Sequence, residues 1–207
     1  MHEGCRQRKS RFALYGSTLC GEKGIIMKFM IASDIHGSSY YCKKMIEAFE
    51  SEGADRLLLL GDILYHGPRN DLPRDYSPKK VASLLNEYKD RIICVRGNCE
   101  AEVDSLMLEF SVTAECAVVS TASGRLIYAT HGHHYGEKTP PPHVKGDILL
   151  TGHTHIPACT EYETYLYVNP GSVSIPKEGS AHGYMLLDGD SFTWKKLDGE
   201  TYREYKL

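Results

Sequence analysis

Residues 29–37 read FMIASDIHG, a short apolar run that stops at a turn carrying an aspartate and a histidine two residues apart. Such a run, without polar alternation, predicts a strand buried on both faces. The pattern returns in RLLLLGD (56–62) and RIICVRGN (91–98). Between the first two runs, YYCKKMIEAFESEG (40–53) has helical spacing and a stop at Gly53. After the proline-bearing loop HGPRNDLPRDYSP (66–78), a second helix is predicted over Pro78–Asp90, with Ser77 at the N-cap and Pro78 at the first helical position. Apolar runs joined by helices imply a parallel sheet covered on both faces, and the fold class is α/β (α+β).

Strands dominate the second half. AECAVVST (114–121) and RLIYATHG (125–132) flank a Ser-Gly turn, while TYLYVNPGS (164–172) and GYMLLDGDSFTWKKLDGETYREYKL (183–207), with its Asp-Gly pairs, read as hairpins. A second sheet, largely antiparallel, is therefore expected to pack on the first. DILLTG (147–152) is a further buried run that ends in polar residues.

The chain has 207 residues, 42% of them hydrophobic, enough for one core, and a single domain is expected over 27–207. A net charge of -3 gives no basic footprint, so nucleic acid is not the expected partner and a small, locally charged substrate is. No apolar run reaches the ~18 residues of a membrane helix. The seven cysteines are scattered and never form C-x-x-C, which argues against a disulfide framework or zinc knuckle and for a reducing cytoplasm. Residues 1–26 start basic, but Tyr15, Gly16, Ser17 and Thr18 break any signal-peptide core. They are expected to be a flexible extension or the product of an upstream start, Met27 being a natural beginning; the alternative is a small basic contact arm.

The strand ends carry the chemistry. Asp34 and His36 follow the first run, Asp62 the second, Asn98 and Cys99 the third, His131 the run at 125, and His153 and His155 the run at 147. In open α/β sheets sites form beyond the carboxyl ends of strands, so these residues should converge. The i, i+2 spacing of Asp34/His36 and His153/His155 would put each pair on one side of an extended backbone. Gly61, Gly97, Gly132 and Gly152 would permit sharp turns beside the donors. Any one of these histidines or Gly-Asp pairs alone reads as an ordinary hydrogen-bonded or turn residue; the set predicts a metal site. Asp34, His36, Asp62, Asn98, His131, His153 and His155 are too many donors for one tetrahedral zinc, and two ions suit them better, with Asp62 as bridge. With two carboxylates and a shared hydroxide, a pair of dications keeps about one positive charge, which suits a phosphodiester monoanion.

At these residues the chain resembles the calcineurin-like metallophosphoesterases, whose motif series D-x-H, G-D, G-N-H-[DE], H and G-H-x-H is met by SDIHG, LGD, RGNCE, THGH and GHTH, followed by NPGSVSIP. MKFMIASDIHGS, HGPRN, VRGNCE and NPGSVSIPK make it similar to the small bacterial YfcE-type phosphodiesterases of that family. The resemblance, over roughly 27–207, implies a two-sheet β-sandwich flanked by helices and a dinuclear site, most often manganese, with Fe, Zn, Co or Ni as alternatives. It implies that Asp34, His36 and His155 hold one ion, Asn98, His131 and His153 the other, that Asp62 bridges them, and that the chain hydrolyses phosphodiester bonds through a metal-activated hydroxide. Asn98, His131 and Cys99 would then be the catalytic side chains. Cys99 stands where most members carry a proton-donating His, and either donates in its place or fills space as a small apolar residue. Arg69, in the long loop after the second run, and His133 are candidates for touching substrate. Asn169 and Gly171 either shape the rim or form an ordinary turn. Oligomeric state is open, a homo-oligomer included. Alternatives are a phosphomonoesterase or nucleotidase, and a non-catalytic scaffold like the Vps29-like members, which depart from the metal motif.

Overall fold

The computed structural model describes residues 26–207. The extension expected over 1–26 therefore lies, apart from the exposed Ile26, outside the described residues. The three apolar runs form β1 (Phe29–Ala32), β2 (Arg56–Leu59) and β3 (Ile92–Cys94), which pair in parallel with Met30 beside Leu57 and Leu58 beside Ile93. The first helix, α1 (Ser39–Glu52), starts where Ser38 Oγ accepts the Tyr41 N–H at 3.3 Å and ends at Gly53, whose φ of +59° is a conformation that glycine adopts without strain. The second, α2 (Pro78–Asn86), is shorter than the Pro78–Asp90 reading. Asn86 turns its amide outward to Met107 O and Glu109 N, Tyr88 N–H closes a tighter bond to Leu85 O, and a separate 3-10 turn covers Lys89–Arg91. Ser77 sits at the N-cap, but its side chain makes no capping bond.

Alternation along β1 and β2 explains their unbroken hydrophobicity. Met30, Ala32, Leu57 and Leu59 join Met45, Phe49, Val81 and Leu85 in a core under the helices. Phe29, Ile31, Leu58 and Leu60 point the other way, into a second core with Ile127, Ile148, Val168 and Trp194. Both faces are buried as expected, one by helices and the other by the second sheet.

That second sheet comprises β4 (Ala117–Ser120), β5 (Leu126–Ala129), β6 (Asp147–Leu150), β7 (Pro157–Glu161) and β8 (Tyr165–Pro170), in the order β4-β5-β6-β8-β7. Two expectations need correction. The sheet is mixed, not largely antiparallel, because β5, β6 and β8 run parallel. Parallel neighbours need long crossovers, and here residues 130–146 cross without a helix, which left no βαβ signal to read. Moreover, β9 (Gly183–Asp188), β10 (Ser191–Lys196) and β11 (Thr201–Lys206) extend the first sheet, since β9 lies antiparallel to β1 in the order β11-β10-β9-β1-β2-β3. Strand β7 was not anticipated; its Pro157 opens an edge strand, where a missing N–H is tolerated. Among the described residues, no helix is long and apolar enough to cross a membrane.

Candidate metal centre

The architecture leaves two sets of parallel strands, β1-β2-β3 and β5-β6-β8, ending at one rim. Asp34, His36 and His155 come together there, as do Asp34, Asp62 and His131. The local conformation differs from the extended reading. Asp34, His36, Asp62, His153 and His155 all have positive φ, between 48° and 65°. A left-handed residue costs roughly 1–2 kcal/mol unless it is glycine, so the surrounding bonds must hold the rim in place. Ser172 Oγ and Ser174 Oγ both donate to Asp34 O, at 2.9 and 3.0 Å, and Val173 N–H donates to Ser33 O at 3.0 Å. Buried Asn169 donates to Gly152 O at 2.8 Å and to Thr154 Oγ1 at 3.1 Å, while its own oxygen accepts from Gly171 N. The NPGS segment is thus a clamp on the loops that carry Asp34 and His153 rather than an ordinary turn.

The glycines divide into two kinds. Gly61 and Gly132 use left-handed φ, as the turn reading requires. Gly97 and Gly152 do not; they are small because a methyl at Gly97 would overlap Asp62 and the Glu100 carboxylate, and one at Gly152 would overlap Ser33 Oγ and Asp34 Oδ2.

Backbone carbonyls fix the imidazole tautomers, since a carbonyl only accepts. His36 Nδ1–H donates to Tyr65 O (2.8 Å), His155 Nδ1–H to Ile175 O (2.6 Å) and His131 Nδ1–H to Leu60 O (2.6 Å). Each neutral ring therefore presents a bare Nε2 to the centre. Those of His36 and His155 face each other at 3.2 Å, and Asp34 Oδ1, buried and without a hydrogen-bond partner, lies 3.6 and 3.3 Å from them. On the other side His131 Nε2 is 3.0 Å from Asn98 Oδ1, 3.2 Å from His153 Nδ1 and 3.4 Å from Asp62 Oδ2. At His36, His155 and Asp34, where the tautomers are fixed, acceptors face acceptors in a buried place, which calls for positive charge between them. An all-N/O donor set of this kind fits first-row divalent ions.

Glu100 was missed as a functional residue, although it ends the RGNCE motif. It is 93% shielded from solvent by relative area, and it accepts the N–H groups of Asp62 (2.9 Å), Ile63 (2.7 Å) and Gly97. Burial and the charge of Asp62 push its carboxyl up, against those three donors. Its work is to hold the turn that aims Asp62.

Without a dication, protons balance the carboxylates. Burial disfavours a charged His131, but the hydrogen bond to Asp62 and the charges of Asp34 and Asp62 win and raise it to about 9. For Asp34, burial opposes ionisation, yet His155 and His36 hold the carboxyl well below the usual range. A raised histidine stabilises the metal-free fold below its unfolded value near 6.5, and that contribution is lost as pH rises through about 9. A metal ion held by His131 would have to expel the same proton. Apparent manganese affinity should therefore climb by up to about tenfold per pH unit between 6.5 and 9, with proton release in calorimetry run in buffers of different ionisation enthalpy. Affinity independent of pH there would show that His131 is not displaced.

The other candidates divide. Cys99 N–H donates to Asp62 Oδ1 at 2.9 Å, and its half-buried Sγ reaches the centre beside His36 and Asp62. Burial first, then the charge of Asp62, push its thiol well above the usual range. His133 is half-buried with its ring 5.4 Å from that of His131 and 6.3 Å from that of His153. Arg69 is exposed and makes no hydrogen bond or ion pair among the described residues; nearby Gly67 lies against Cys99, so the loop passes the opening. The five described cysteines, Cys42, Cys94, Cys99, Cys116 and Cys159, are all free.

The two-sheet sandwich and the histidine–carboxylate rim define a known class. The chain belongs to the calcineurin-like phosphoesterase superfamily, whose family model matches residues 27–191, and membership implies a divalent metal cofactor. Within it the chain is similar to Phosphodiesterase YfcE of Escherichia coli strain K12, 47% identical over 165 residues that cover 80% of this chain and 89% of that protein. A solved structure of the E. coli phosphoesterase Yfce superposes with a TM-score of 0.84 at 42% identity, covering 87% of this chain and all of that one. Vacuolar Protein Sorting 29 from Cryptosporidium parvum, at 19% identity and a TM-score of 0.57 over 88% of this chain and 99% of that one, shares the fold.

Proposed function

We propose that this chain, over residues 27–207, hydrolyses phosphodiester bonds of a small substrate using two divalent ions, manganese foremost. Asp34, His36 and His155 would hold one ion, Asn98, His131 and His153 the other, and Asp62 both. The observation that carries the reading is the pair of bare Nε2 atoms of His36 and His155, 3.2 Å apart beside the unpartnered Asp34 Oδ1. When bound, such a pair supplies a nucleophile from water at neutral pH, polarises phosphoryl oxygens and neutralises developing charge.

The chain's own residues do the rest. Asp34 and Asp62 would cancel two of the four positive charges and a shared hydroxide a third, leaving about one positive unit for a monoanionic diester. The carbonyl-anchored rings of His36, His131 and His155 keep their Nε2 lone pairs aimed at the centre, and Glu100 fixes the turn carrying Asp62. Arg69, in the loop whose Gly67 lies against Cys99, and His133, beside His131, would meet a substrate's flanking groups. The free cysteines support a reducing cytoplasmic setting.

Cys99 is a poor proton donor with its thiol pushed up, so leaving groups that depart without protonation are favoured. Cys99→His should raise the rate on an alkyl diester relative to an aryl one by roughly 10²-fold. An unchanged ratio would defeat this account of the cysteine. The activity itself is tested by rates on an aryl diester and the matching monoester, with manganese and after chelation. Metal-dependent cleavage that is faster on the diester is expected; faster monoester cleavage would make the protein a monoesterase, and no metal-dependent turnover would favour the binding role of Vps29-like members.

A further inference from the structure

Beside the centre lies a second group of metal-capable side chains, of which the proposed reaction involves only His133, at the approach of substrate. His133 and His134 are adjacent in sequence, yet the turn after β5 folds their rings to the same side, with centroids 3.9 Å apart. Neighbouring residues of an extended chain would point apart. Glu115, just ahead of β4, meets them: His134 Nδ1 lies 3.3 Å from Glu115 Oε2, and the three residues can each offer one ligand atom with all three within 4.8 Å of one another. His133 Nδ1 is buried with no hydrogen-bond partner. A surface ion pair would account for His134 and Glu115 alone, since such pairs contribute little and impose little order. It would not account for the second ring folded against the first with an unsatisfied nitrogen.

We propose that Glu115, His133 and His134 form a third metal site, for a zinc-like dication, separate from the paired centre. Two imidazoles and one carboxylate with an open fourth position are a three-ligand zinc set, and ligands ~2.0–2.1 Å from a tetrahedral ion stand about 3.3 Å apart, close to the His134–Glu115 separation. Glu115 and His134 are exposed, so the ion enters from solution rather than through the cleft. Magnesium and calcium, which prefer oxygen, are not expected there.

The test compares the full, untagged chain with the double variant Glu115→Gln, His134→Asn. Both positions are on the surface, so folding should be unaffected, and neither belongs to the proposed hydrolytic machinery. Zinc bound at saturation is measured by equilibrium dialysis and elemental analysis, and manganese-dependent turnover of an aryl diester is followed in parallel. The variant should bind one zinc equivalent fewer while keeping its turnover. Equal zinc in the two proteins would overturn the site. Because the readout is a difference, it holds whatever number of ions the central ligands take, and failure of the hydrolase reading would show instead as absent turnover in both.

Discussion

Asp62→Ala should lower turnover of an aryl diester by about 10³-fold or more, and metal uptake with it, because in the proposed centre one carboxylate would serve both ions and their combined contributions would fall together. The structure isolates this effect from general damage. The turn at Asp62 is held by its backbone, through Asp62 N–H and Ile63 N–H to Glu100 and Asp62 O to His36 N–H, none of which needs the carboxylate. The variant should fold and show wild-type circular dichroism while binding manganese weakly. A variant with near-normal turnover would remove Asp62 from the bridge.

Gly97→Ala should be almost as harmful without replacing any proposed ligand. The backbone there does not use left-handed φ, so alanine is conformationally allowed. Space is what fails: the added methyl would press on Asp62 N, the Asp62 carboxylate and Glu100 Oε2. These atoms are tied to one another, and the relief is a shift of Asp62. A displacement near 1 Å at a reacting centre costs on the order of 10²-fold in rate, and overpacking costs about 1–3 kcal/mol in stability. Gly124→Ala is the control. Nothing lies within 4 Å of its Cβ, but its φ is +86°, so it should lose stability and keep activity. If Gly97→Ala keeps activity too, the tight packing behind Asp62 is not what positions it.

Much of this was legible because the site is written at strand ends. The runs around Met30, Leu58 and Ile93 are apolar on both faces, and each stops at a donor, so β1, β2, β3 and the convergence of the side chains beyond them could be read from sequence. The topology of the second half was not legible. Nothing in residues 130–146 announces a crossover, so the second sheet read as largely antiparallel although β5 and β6 are parallel. Nor do the strands at 183–206 carry a mark of which sheet they join; that is decided by burial of Phe192 and Trp194 between the sheets, a non-local effect. The left-handed backbone of Asp34, His36, Asp62, His153 and His155 was also hidden, because strain at a non-glycine residue is tolerated only through distant bonds such as Ser172 and Ser174 to Asp34. Glu100 was readable as part of a motif but not as a hydrogen-bond hub, since its three partners are backbone N–H groups that any sequence would supply.

Everything turns on whether one cradle holds two ions. Diffraction from manganese-soaked crystals, recorded on both sides of the manganese absorption edge, answers this directly. The account predicts two anomalous peaks about 3.5–4 Å apart, one near Asp34, His36 and His155 and one near Asn98, His131 and His153, with Asp62 touching both. A single peak, or peaks away from these side chains, would contradict it.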